Sequence, residues 1–210
     1  MRNPLRKALW SVGLCVLGAG VFVLAYTAYA QIGKATSGIL AIIGITLALI
    51  FFFTFLWALF SAIGYARLMS GNGVIARWHV TAGDWGRFVA FDKIRAAEHP
   101  SLRNDMRIRK QTPPQGVEVI VGRGNIIVDS SYHSIAGQTA GGRQINWLNA
   151  PVDPECIEFP KSYPRSKGGS VDLTLRVPVP ASARAEGVRV FEHYRAKDTI
   201  IGAISSRGDK

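Results

Sequence analysis

Two stretches near the N-terminus limit what this chain can become. Residues 8–30 (ALWSVGLCVLGAGVFVLAYTAYA) and 35–66 (ATSGILAIIGITLALIFFFTFLWALFSAIGYA) contain no Asp, Glu, Lys, Arg or His. A helix that crosses a hydrocarbon core of about 30 Å needs about 20 predominantly apolar residues. Both runs are long enough, and the second has residues to spare, so it tilts or extends past the bilayer at one end. A helix that is apolar all round must be enclosed by protein or by lipid. A chain of 210 residues offers no soluble core that could enclose two of them. The sequence therefore predicts a transmembrane hairpin within residues 1–70, with spans at about 8–30 and 38–66.

The flanking charges orient the hairpin. Arg2, Arg6 and Lys7 precede the first span, only Lys34 lies in the connector, and Arg67 and Arg77 follow the second. Short flanks rich in Lys and Arg stay in the cytoplasm. Both termini are thus expected on the cytoplasmic face of the inner membrane. Ala28-Tyr29-Ala30 resembles a signal-peptidase site, but the apolar run before it is long for a signal sequence. Cleavage there would still leave the second span to return the rest of the chain to the cytoplasm. Gly44 and Ala48, and Ala58 and Ala62, recur at helical spacing, and Cys15, Ala19 and Val23 form a partly small stripe in the first span. Such spacing lets helices approach closely, within one hairpin or between copies in a homo-oligomer or larger membrane complex. The spans hold no ionisable residue of the kind that marks ion and proton pathways, which argues against a transporter or channel.

All 14 acidic residues lie beyond the second span, and residues 71–210 carry 20 Lys and Arg against them, a net of +6. A basic domain held beside a bilayer is drawn to anionic headgroups by about 1 kcal/mol per Lys or Arg near the surface. Cys15 and Cys156 stand alone in different regions, which implies no disulfide framework.

Residues 71–197 read as a cytoplasmic α+β domain and residues 198–210 as a flexible tail. Val74–Val80 alternates as a half-buried strand. Thr81 and Asp84 form a capping pattern for a helix through about Glu98, with Trp85, Phe88, Val89 and Asp92 on one side. Residues 99–116 form a basic loop. Val117–Val121 and Ile126–Tyr132 make a hairpin around Gly122-Arg123-Gly124-Asn125. Short strands follow near Ile145–Leu148 and Cys156–Phe159, then a basic turn at 160–170. In the strand Val171–Val179, apolar residues alternate with Asp172, Thr174, Arg176 and Pro178. A last helix at about 181–196 carries Ala181, Ala185, Val188, Phe191 and Tyr194 on one stripe. The pattern predicts a mostly antiparallel curved sheet with two helices.

No residue set specifies a reaction. His79, His99, His133 and His193 match no zinc spacing, and no cofactor motif is present. Asp129, Ser131 and His133 share triad residue types, but along one strand they read as solvated cross-strand neighbours. Cys156 reads as a small buried thiol. The chain is thus expected to be non-catalytic, with neither metal nor cofactor; the alternatives are an accessory subunit of a larger membrane complex and a membrane-anchored enzyme whose site the sequence does not reveal. Its candidate contacts are two basic loop clusters, Arg103, Arg107, Arg109 and Lys110, and Lys161, Arg165 and Lys167, which suit anionic headgroups or a protein partner. A modest net charge with no nucleic-acid motif argues against nucleic acid.

The sequence Ala76-Arg77-Trp78-His79-Val80, followed by Trp85 and Phe88, the hairpin from Gly116 to Val121, and the Leu175–Pro180 strand end resemble uncharacterised two-span bacterial membrane proteins. A looser similarity is to membrane-tethered modules of pleckstrin-homology type, from which the strand–helix unit at 74–98 departs. The resemblance implies membrane residence and a C-terminal cytoplasmic domain, and no activity.

Overall fold

The fold is taken from a computed structural model, which describes residues 4–27, 34–100, 103–106, 112–135, 144–148, 154–164 and 168–205. The chain divides into two units, Met1–Arg67 and Leu68–Lys210.

The first unit consists of two helices, α1 (Pro4–Thr27) and α2, which runs from Lys34 to Met69 and ends just past the unit boundary. Both are long and apolar enough to cross a membrane. Leu9, Trp10, Leu24, Ile42, Phe53, Trp57 and Phe60 are each between 66% and 73% exposed. Two hydroxyls of α2 are satisfied within the helix: Thr54 Oγ1 donates to the Ile50 carbonyl at 2.8 Å and Ser61 Oγ to the Trp57 carbonyl at 3.1 Å. That is the arrangement a water-free surrounding demands. The helices meet backbone to backbone at glycine. A Cβ built on Gly18 would lie 2.9 Å from the Ala48 nitrogen, and one on Gly44 would lie 2.7 Å from the Phe22 nitrogen. Gly44 and Ala48, whose spacing suggested close packing, are therefore used within the hairpin. Ala58 and Ala62 are also buried.

The second unit runs β1 (Val74–Val80), α3 (Ala82–Glu98), β2 (Val117–Gly122), β3 (Asn125–Val128), β4 (Ser131–Ser134), β5 (Asn146–Leu148), β6 (Glu155–Pro164), β7 (Ser170–Val179), a 3-10 turn (Ala181–Ala183) and α4 (Arg184–Ser205). The class is α+β. The strands form two antiparallel sheets, β1-β2-β3-β4 and β5-β6-β7, where the sequence pattern suggested one. One apolar cluster draws on both sheets and both helices, including Trp78, Trp85, Phe88, Val119, Ile157, Leu175 and Val190. The Trp78 indole joins the sheets directly, its Nε1 donating to the Pro178 carbonyl at 2.9 Å.

Several elements form where the sequence placed them. Thr81 caps α3, its Oγ1 accepting from the Asp84 backbone N–H at 3.1 Å, and Trp85, Phe88 and Asp92 are buried on the inner stripe. Others differ. The strand expected at Ile126–Tyr132 is broken by Asp129 and Ser130, both at positive φ (48° and 62°), so β3 and β4 form a second tight hairpin. Two consecutive positive φ angles are what a type I′ turn requires. Strand β6 continues through Lys161 to Pro164, paired with β7, where a basic turn was expected, and Gly168 and Gly169, both at positive φ, lie just before β7. Helix α4 continues to Ser205, and its buried positions are Ala183 just before it, then Gly187, Val190 and Tyr194. Ala185 and Val188 face outward instead. The Tyr194 hydroxyl donates to the Gly122 carbonyl on β2.

Candidate functional site

The second sheet carries a row of polar residues. Antiparallel register places Asn146 (β5) opposite Glu158 (β6) and Glu158 opposite Arg176 (β7). Because side chains on adjacent strands at matched positions share a face, these three line up across the sheet. The next row on that face pairs Pro160 with Thr174. Ile157, Phe159, Leu175 and Val177, one residue out of phase, are buried in the apolar cluster. The outer edge of β7 is occupied by residues 103–105. The Thr174 N–H donates to the Arg103 carbonyl at 3.0 Å and the Asp105 N–H to the Thr174 carbonyl at 2.8 Å, a parallel bridge centred on Asn104.

Arg176 is 0% exposed and lies at the centre of this face. Its Nη1 donates to Asp92 Oδ1 at 2.6 Å and its Nε to Glu158 Oε1 at 2.7 Å. Asn104 completes the arrangement: its Nδ2 donates to Asp92 Oδ1 at 3.0 Å, and its Oδ1 accepts from the Met106 and Arg176 backbone N–H groups at 3.0 and 3.2 Å. Placing two carboxylates and a guanidinium out of water costs several kcal/mol per ion unless geometry and hydrogen bonds compensate. Here each charge has a partner and Asn104 fills the remaining backbone positions.

Arg95, one turn beyond Asp92 on α3, approaches the same glutamate less closely, with Nε 3.7 Å from Glu158 Oε1. That is an ion-pair distance and too long for a hydrogen bond. The Arg95 Nε is buried and has no acceptor among the described residues. Beside it opens a cleft of about 350 Å³, lined by Arg95 from α3, by Gln144, Ile145 and Asn146 at the start of β5, and by Glu158, Pro160 and Thr174 on the sheet. The volume is at the small end of ligand pockets. No family model matches this chain, and no curated protein or solved structure matches it either.

A second buried set lies on the other face of β6. Asp105 Oδ2 accepts from Lys161 Nζ at 2.7 Å and from the Tyr163 hydroxyl at 3.1 Å, and His133 Nδ1 is 3.7 Å away. His133 and then the Lys161 ammonium hold the Asp105 carboxyl well below the usual carboxylate range, against the opposing pull of burial. Of the two contacts, the one from Lys161 is the true hydrogen bond by distance. Burial pushes the His133 imidazole down, and the nearby Asp105 does not reverse this. His133 Nε2 is buried with no partner among the described residues.

These shifts set a pH dependence. The unfolded chain takes up a proton on a histidine near pH 6.5, and native His133 resists it. Stability is fully present above that value and falls as pH drops below it, because the unfolded state then binds more protons. Asp105, whose folded value is also lowered, contributes stability that is present above about pH 4 and is lost only in stronger acid. The urea midpoint of the 71–210 segment should therefore decline from pH 7 to pH 5, and His133→Asn should flatten that decline. An unchanged slope in the variant would assign the effect to other groups.

The residues singled out by charge have different fates. Arg103 is exposed while its carbonyl is held by Thr174. Lys161, expected in a surface cluster, is a buried strand residue with its ammonium on Asp105. It is buried because β6 extends past Phe159. Arg107, Arg109, Lys110, Arg165 and Lys167 lie outside the described residues. His133 and Ser131, read as solvated, are buried in β4. Cys156 is 0% exposed, and burial pushes its thiol well up, as suits an inert core sulfur. The network of Asp92, Glu158 and Arg176 was not singled out by sequence. The available signal was Asp92 on the apolar stripe of α3, since a carboxylate there must find a buried cation.

Proposed function

We propose that this chain is a non-catalytic protein of the bacterial inner membrane, with both termini cytoplasmic. In this reading α1 and α2 span the bilayer, as in the two-span family it resembles, and the basic 71–210 domain meets an anionic membrane surface or a protein partner. The carrying observation is the outward display of Leu, Ile, Phe and Trp along both helices. Apolar surface of that extent is not stable in water and marks a lipid or protein contact. The exposed Arg103, a few residues before Arg107, Arg109 and Lys110 in the sequence, supports the surface contact.

Flotation of the 71–210 segment with liposomes tests the lipid form of the proposal. Binding should require phosphatidylserine, weaken with salt, and fall roughly fivefold for each of Arg103, Arg107 and Arg109 changed to alanine, the equivalent of about 1 kcal/mol. Equal binding to neutral and anionic vesicles would discard the lipid contact and leave the protein partner.

A further inference from the structure

We infer that the cleft between α3 and the β5-β6-β7 sheet binds a small zwitterion, an α-amino acid or a close analogue of one. The Arg95 Nε is a buried donor with no acceptor among the described residues. A guanidinium offers five N–H donors in a fork that matches a carboxylate. Next to it on the cleft wall, Glu158 uses Oε1 for Arg176. The cleft wall thus sets a guanidinium and a carboxylate side by side, the Arg95 side chain 24% exposed and its Nε 3.7 Å from Glu158 Oε1.

That spacing selects the ligand. A bare anion drawn to Arg95 would meet the Glu158 carboxylate, and a bare cation drawn to Glu158 would meet Arg95. A molecule whose carboxylate and ammonium are separated by one carbon satisfies both at once. The charges of this network also balance: Arg95 and Arg176 offset Asp92 and Glu158. A guest with no net charge leaves that balance intact. The carboxamides of Gln144 and Asn146 line the same cleft and are exposed, so they suit a polar side chain. About 350 Å³ accommodates a molecule of this size.

The test is calorimetric titration of the full chain in nanodiscs with L-glutamine, with propionate and propylammonium as single-charge probes. L-glutamine should bind at one site per chain, each single-charge probe at least tenfold more weakly. Arg95→Gln should weaken L-glutamine at least tenfold. Asn146→Ala, at an exposed position, should weaken it severalfold with no change in thermal midpoint, which keeps the test valid if Arg95→Gln is unstable. Absence of L-glutamine binding at millimolar concentration overturns the proposal. Propionate binding as tightly as L-glutamine overturns the ligand class. Binding unaffected by both substitutions overturns the site.

Discussion

Arg176→Leu is expected to cost the 71–210 domain about 3–5 kcal/mol, because it leaves the buried Asp92 without its cation and Glu158 with only the 3.7 Å contact to Arg95. That is a large share of the roughly 5–15 kcal/mol that holds a typical domain folded. Arg176 is fully buried and is bonded to Asp92 and Glu158 at 2.6 and 2.7 Å, so no water can replace it without opening the face between α3 and the sheet. Urea unfolding followed by tryptophan fluorescence reads the loss. The triple change Arg176→Met, Asp92→Leu and Glu158→Leu removes both carboxylates with Arg176, leaves only the partly exposed Arg95, and should recover most of it. If Arg176→Leu alone costs less than about 1 kcal/mol, the network is not desolvated in solution as it is here. The recovered triple variant would keep the fold but lose the Glu158 acceptor, so it should also lose the proposed zwitterion binding.

The second large effect is expected at Trp78. Its ring is buried in the shared cluster, and its Nε1–H reaches the Pro178 carbonyl on the other sheet at 2.9 Å. Trp78→Ala should cost about 3–5 kcal/mol through lost burial and an unfilled cavity. Trp78→Phe keeps most of the apolar contact and leaves one carbonyl unmatched, which costs about 1–3 kcal/mol. The difference between the two substitutions, measured in the same urea titration, separates packing from the hydrogen bond. Equal losses would mean that the polar strut dominates.

Local chemistry made a good part of the fold legible. The two apolar helices, β1, the Thr81 cap with α3, and the turn before Asn125 all follow from short-range patterns of charge, alternation and capping. What the patterns could not show is which faces are covered. Alternation in Val171–Val179 separates Arg176 from Leu175 and Val177, but it does not reveal that α3 lies over the arginine side. The same gap explains Lys161. Basic residues near glycine read as a turn until β7 is known to pair with them through Pro164. The break at Asp129-Ser130 was missed because neither residue is glycine, although both adopt positive φ. The candidate cleft was less legible still. It joins residues from α3, β5, β6 and β7, and only Asp92, misplaced on an apolar stripe, hinted that a buried cation would be needed nearby.

The short segment at 103–105 has a consequence for crowding. A strand with unpaired backbone groups is a template for pairing with another chain. A domain confined to two dimensions, as proposed for this one, meets its neighbours far more often than it would in solution. By hydrogen bonding on both sides of Thr174, that segment occupies the outer rim of β7 with the chain's own backbone. It thereby removes one site at which copies packed side by side along a bilayer could stitch their sheets together.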